Sequence, residues 1–271
     1  MTTRSVLLIA IGPFLLALTT PVEAGLSSQQ AYSLFSQANE AFRQANSMAG
    51  DPQAEKLYEK AILSYEKIIH DSQIVNAKLY YNLGNAYFLK GDLGKAMLNY
   101  RRAERLDSSD ENIRKNLAFA RTKRLDVVEP KTERRILQTL FFWHYDISLK
   151  ARFVLACVFF AVACVTLTVI VWSGRSAAAT TAMAVGGILM LCFSISTAWE
   201  AQSRAREVCG VITAKEVVAH QADWENSPPS FKEPLHAGTE FDLIEQRHGW
   251  LHIRLADGSD GWISDDSAEL I

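Results

Sequence analysis

The chain has 271 residues, with 28 Lys and Arg against 30 Asp and Glu, and charged residues make up 21% of it. This balance gives no overall electrostatic case for nucleic acid, and the length accommodates two modest domains with additional segments. The apolar residues are unevenly spread, so the chain divides into parts of different character.

After Arg4 the stretch SVLLIAIGPFLLALTT leads to Val22-Glu23-Ala24 before Gly25. A short apolar run broken by Gly12-Pro13, then a small-x-small site, has the pattern of a secretory signal over residues 1–24; an uncleaved anchor is the alternative on the same pattern. Either reading puts the chain beyond Gly25 outside the cytoplasm.

From Gln30 to about Arg124 the pattern is helical, and its second half repeats the first. Tyr80, Leu83, Gly84 and Tyr87 share one helix, and Ala96, Tyr100 and Ala103 the next. Small Gly84 and Ala96 let two antiparallel helices approach closely, while the large residues fill the gaps between hairpins. These are the positions of the roughly 34-residue tetratricopeptide (TPR) repeat, which the segment resembles. A degenerate copy aligns Ala38-Asn39-Glu40-Ala41-Phe42 with Gly84-Asn85-Ala86-Tyr87-Phe88, and Ala61 and Tyr65 with Ala96 and Tyr100; an extended turn is expected from Asn46 to Lys56. ENIRKNLAFARTK reads as a capping helix, giving a TPR domain over 30–124.

The resemblance implies that the first helices of the hairpins line a groove for a peptide or partner helix. The residues expected to face it are Phe35, Asn39, Tyr81, Asn82, Asn85 and Phe88, with Lys115 and Phe119 from the capping helix. Asn39 and Asn82 stand where carboxylate-clamp repeats place asparagines, but Phe35 takes the place of the clamp lysine, which argues against a C-terminal carboxylate as ligand.

Residues 125–152 open with a linker at Pro130 and continue as RRILQTLFFWHYDISLKAR. We expect a helix or turn at a membrane surface, with Trp143 and Tyr145 at headgroup level; a soluble core helix is the competing reading. Two uncharged blocks come next, 153–172 and 177–199, each near the roughly 20 residues a bilayer crossing needs. Only Ser173-Gly174-Arg175-Ser176 separates them, so they form a hairpin whose outer ends share one side. Neither block contains Asp, Glu, Lys, Arg or His, which points to an anchor rather than a transporter or intramembrane protease. Lys150, Arg152, Arg204 and Arg206 flank the outer ends against Arg175 alone in the turn, the reverse of the positive-inside pattern. The signal, weighed against those charges, predicts the periplasmic side of a bacterial inner membrane for both flanking domains. Cys157, Cys164 and Cys192 lie in the apolar blocks and Cys209 stands alone, so no extracytoplasmic disulfide is expected.

From Glu207 on, short alternating strands VITAKEVVAH, TEFDLIEQ, WLHIRL and GWIS are separated by turn residues, as in a small, partly open β-barrel. The segment with Gly238-Thr239, Gly249-Trp250 and Gly261-Trp262 resembles bacterial SH3-like domains over 207–271. Trp250 and Trp262 are candidates for stacking on a ligand, with a core role as the bland alternative. His248 and His252 lack a third ligand nearby, so no metal is expected. The fold class is therefore multidomain α plus β: TPR helices, a two-helix transmembrane hairpin and a small SH3-like barrel.

There is no phosphate loop, nucleophile elbow or His-Glu-x-x-His, so neither an enzyme nor a cofactor is expected. The order signal, TPR repeats, hairpin, SH3-like domain resembles the BatE proteins of the Bacteroides aerotolerance operon type. That resemblance implies an envelope complex with other Bat proteins, including von Willebrand A-type partners. The functional expectation is a non-enzymatic envelope scaffold binding proteins through its repeats and protein or peptidoglycan through its barrel. The alternative is a peptidoglycan anchor in which the repeats serve as spacer.

Overall fold

The computed structural model describes residues 25–48, 50–72, 74–129, 140–145, 147–206 and 208–271. The expected signal and much of the expected surface segment, 130–139, lie outside the described residues. Five helices come first: α1 (Ser28–Ser47), α2 (Pro52–Asp71), α3 (Ala77–Lys90), α4 (Leu93–Leu106) and α5 (Glu111–Arg121). Each begins at a residue whose side chain accepts from the first turn: Ser27, Asp51, Asn76, Asp92 and Asp110. Such caps satisfy amides that the helix leaves open, at about 1 kcal/mol each. Helix α3 stops at Gly91, whose φ of 92° suits glycine and turns the chain directly into α4.

The helices pack as consecutive antiparallel hairpins because their buried faces alternate small and large. Ala31, Ala38 and Ala41 of α1 cluster with Ala61, Tyr65 and Ile68 of α2, and Ala45 with Ala54 and Tyr58, all buried. In the second hairpin a Cβ on Gly84 would lie 2.7 Å from the Tyr100 ring and 3.3 Å from the Ala96 carbonyl, so only glycine permits that approach. One expectation is corrected here: the turn between α1 and α2 is confined to Met48–Asp51, because Asp51 with Pro52 starts α2 earlier than the sequence pattern suggested.

After a short helix α6 (Phe142–Tyr145) come α7 (Leu149–Ser173) and α8 (Ala177–Arg206), an antiparallel hairpin. Both are long and apolar enough to cross a membrane; α7 is about 37 Å long, against a hydrocarbon core of about 30 Å. Their outward faces carry Phe153, Val158, Phe160, Val165 and Ile188, all exposed. Inside the hairpin Phe159 stacks on Phe193 at 5.9 Å, and Gly186 lies against the Phe159 carbonyl.

The C-terminal region is a β-sheet. Strands β1 (Cys209–Ile212), β4 (Glu240–Arg247), β5 (Trp250–Arg254), β6 (Asp260–Ser264) and β7 (Ala268–Leu270) form a sheet in the order β6-β5-β4-β1-β7, with antiparallel pairing throughout. Strands β2 (Glu216–Val217) and β3 (Leu235–His236) pair separately. His220 exchanges backbone hydrogen bonds with Trp262, which covers the outer edge of β6. Ile212, Phe241, Leu251, Ile253 and Ile263 form the sheet's own core.

Helix α4 lies against β1, and Val211 joins the buried cluster of the helices, so the two cores are continuous. A Cβ on Gly94 would fall 2.9 Å from the Ile212 carbonyl, and one on Gly238 would crowd Leu93, Met97 and Arg124. These two glycines set the spacing of the seam. The expected linker and surface segment from 125 is corrected at its start: Asp126 and Val128 belong to this seam, Asp126 binding β3 and Val128 packing on the sheet core.

Candidate functional site

The helices α1, α3 and α5 stand side by side, tied by a hydrogen-bonded unit that occurs twice. The Tyr65 hydroxyl donates to Asn39 Oδ1 at 2.7 Å, and Asn82 Nδ2 donates to the same oxygen at 3.0 Å. One repeat later the Tyr100 hydroxyl donates to Asn85 Oδ1 at 2.7 Å, and Asn116 Nδ2 donates to it at 2.8 Å. Asn116 Nδ2 also reaches the Tyr81 hydroxyl at 3.1 Å. Burial pushes the Tyr65 hydroxyl up to about 12 and raises Tyr100 too, so both remain protonated donors.

Each unit leaves capacity unused. Among the described residues, Asn39 Nδ2, Asn85 Nδ2 and the side-chain oxygens of Asn82 and Asn116 have no hydrogen-bond partner in the chain. Donors and acceptors therefore alternate along the helix row, which suits an extended peptide whose own amides and carbonyls alternate.

Of the residues expected on this row, Asn39, Asn82 and Asn85 are brought together in the two units, and Tyr81 joins the second. Phe35 packs on Tyr65 at 5.9 Å with its ring tilted, a packing role within the first hairpin. Phe88 and Phe119 meet at 5.6 Å, and Phe119 remains 53% exposed under the Lys123 ammonium. Lys115 instead forms an exposed pair with Glu111 along α5 and takes no part in the units. Of the signature residues, Leu83, Gly84, Tyr87, Ala96, Tyr100 and Ala103 are buried and Tyr80 is half-buried. Asn116 escaped the sequence reading, although it stands one repeat length after Asn82 and aligning α5 with α3 would have found it.

The seam between helices and sheet is held by charge. Arg121 binds Glu240 in bidentate fashion at 2.7 and 2.8 Å; Arg124 and Arg101 reach the same carboxylate at 3.2 Å each. Burial alone would raise the Glu240 carboxyl, but the Arg121 hydrogen bonds and the charges of Arg121, Arg101 and Arg124 hold it below its usual range. Asp126 accepts from the His236 amide and the Thr239 hydroxyl at 2.6 Å, and from His236 Nδ1 at 2.8 Å. Arg102 and Arg105 donate to the backbone carbonyls of Leu270 and Ile271, capping the free side of β7.

On the sheet, Trp262 is 6% exposed, stacked on His252 at 4.6 Å with the Arg247 guanidinium also over its ring. Its ring lies on the face opposite the sheet's apolar core and is covered by these two side chains, so it offers no open stacking face. Trp250 is half-buried beside a pocket of 390 Å³ with His220, Val218 and Glu225. His252 pairs with Asp260, and among the described residues no three His, Cys, Asp or Glu side chains gather as metal ligands.

The base of the helix hairpin holds a second buried cluster. Arg152, 1% exposed, donates to the Ser196 hydroxyl and to His144 Nδ1 and pairs with Glu200. Burial, with the Arg152 charge, lowers the His144 pKa, so the ring is a neutral acceptor.

Residues 84–123 match the family model described as a TPR repeat. The match takes in the end of α3, α4 and α5, whose pairing is described above. No curated protein matches the chain. The chain thus carries a TPR repeat within a helical-repeat region, a fold that presents a surface for protein–protein interaction.

Proposed function

We propose that this protein is a non-enzymatic scaffold anchored in a bacterial inner membrane by α7 and α8, with its TPR domain and an SH3-like sheet domain in the periplasm. The observation that carries the reading is the twice-repeated Tyr–Asn–Asn unit across α1, α3 and α5. It fixes a row of amides with half their capacity open, as a protein-binding surface needs and a spacer does not. The SH3-like assignment is supported by the small antiparallel sheet and by Gly249-Trp250 and Gly261-Trp262 at the starts of β5 and β6. The order of parts supports placement in a Bat-type envelope complex with von Willebrand A-type partners.

Periplasmic placement conflicts with four cations at the outer hairpin ends. The signal pattern before Gly25 is weighed above those charges, since long domains translocate largely regardless of charge. The Trp250 pocket favours a second contact, to protein or peptidoglycan. The docked seam disfavours the version in which the repeats only space the sheet from the membrane.

A photo-crosslinking side chain introduced at position 81 or 119 of the full chain in cells should capture the same envelope protein from both positions. Epitope tags at residue 125 and after Ile271 should be cleaved by protease added to spheroplasts. Protection of both tags, or no shared crosslinked partner, overturns the reading. Retention of the purified full chain on cell wall, lost in Trp250→Ala, would assign the sheet pocket to peptidoglycan.

A further inference from the structure

The seam between repeats and sheet does more than join them, because it leaves an open cleft of 590 Å³ at one end. Phe88, Leu93 and Lys123 line it from the helices, Leu125 from the crossing segment, and Lys215 and Ala237 from the sheet. Its walls are fixed relative to each other by the Glu240 and Asp126 contacts, so it is preformed. Leu125 is 75% exposed and Phe119, beside Phe88, 53%, which makes the cleft continuous with the α1-α3-α5 row.

The charge lining this apolar floor is net positive, Lys123 and Lys215 against Asp92. Lys123 and Lys215 enter no ion pair among the described residues; Lys123 rests over the Phe119 ring at 5.2 Å. The lining carboxylate, Asp92, accepts from the Lys95 amide as the cap of α4, and nearby Asp126 is engaged by His236 and Thr239. Two lysines over aromatic and aliphatic side chains form a surface complementary to carboxylates interleaved with apolar side chains. The neighbouring segment of the chain itself, 130–139, carries Lys131, Arg134 and Arg135 against one Glu133. Its charge is of the wrong sign for this cleft.

We infer that the cleft between Lys123 and Lys215 is a composite docking site for an acidic, aromatic-bearing peptide segment of a partner protein, built jointly by the repeats and the sheet. This rests on the scaffold reading and gives the partner its chemistry. It also explains why the two domains are locked: neither alone forms both walls.

The test uses the full chain in nanodiscs and short fluorescein-labelled peptides alternating Asp or Glu with Phe or Leu, read by anisotropy. The expected result is saturable binding that weakens with added salt and falls roughly tenfold when the acids become amides. K123E/K215E, both surface changes, should lose binding to the acidic peptide and leave the thermal midpoint unchanged. No binding, or equal binding of acidic and amide peptides, overturns the inference. So does a dimer of the chain dissociated by K123E/K215E, which would make a second copy the occupant. A crosslinker at position 81 that captures a partner while one at position 125 captures none would sink the composite cleft and leave the scaffold reading standing.

Discussion

Arginine meets glutamate in two buried places in this molecule, and the two clusters follow opposite plans. At the seam between repeats and sheet, one carboxylate, Glu240, is shared by Arg101, Arg121 and Arg124. At the base of the helix hairpin, the Arg152 guanidinium pairs with Glu200 and also reaches His144 and Ser196, so here a cation is the centre. The first is a hub with redundant partners at a boundary that still borders water. The second is centred on a guanidinium that is 1% exposed, at the end of two apolar helices. Loss of a spoke leaves the first centre paired; loss of the centre strips every partner in either cluster.

The largest effect is expected at the hairpin. Arg152→Ala removes the buried guanidinium that pairs with Glu200, which should cost about 3 to 5 kcal/mol, whereas Arg152→Met with Glu200→Leu should recover most of it. Thermal melting of the detergent-solubilised chain checks both, and a double variant as unstable as the single would show that the cost does not come from breaking the Arg152–Glu200 pair. Next comes Glu240→Ala, which removes the shared carboxylate from Arg121 and Arg124 and leaves Arg101 with Glu104, and should weaken the seam by about 3 kcal/mol. Faster proteolysis between Arg124 and Glu129 would report it.

Acid should separate the clusters by pH. His144 has a lowered pKa, so its contribution is complete above its ordinary 6.5 and is lost as pH falls below that value. Glu240 also has a lowered pKa, so the seam holds above the ordinary 4.5 and loosens only as pH falls through the depressed value. Hydrogen exchange should therefore quicken first near 142–152 and later near 236–240, and His144→Gln should remove the first step. The smallest effect is expected for Arg124→Ala, about 1 kcal/mol in the same melting experiment, because Arg101 and Arg121 remain on Glu240. A loss as large as that of Glu240→Ala would show that the hub has no redundancy.

Much of the repeat region was legible because its packing is periodic. Gly84, Ala96 and Tyr100 recur at spacings dictated by helix geometry, and all three are buried where the pattern places them. The row residues were legible in part: Asn39, Asn82 and Asn85 follow from the alignment, but their bonding to Tyr65, Tyr100 and Asn116 depends on hydroxyl positions that no spacing encodes. Trp262 was open in the sequence. Its Gly-Trp pairing fitted a ligand face or a core position, and the tertiary structure shows the ring on the sheet face opposite the apolar core, covered by His252 and Arg247.

By itself the sequence determined the local elements: two helical hairpins with a closing helix, two apolar helices and a run of short strands. Each follows from interactions within a few residues, namely side-chain periodicity, caps and turn glycines. Tertiary structure decided everything that joins residues far apart in the chain. Arg121 with Glu240, Asp126 with His236, Arg152 with Glu200, and the cleft between Lys123 and Lys215 have no local signature, because a charged side chain has the same pattern in sequence whether it faces water or a partner. The seam became visible only when folding brought Gly94 and Gly238 close enough for those charges to meet.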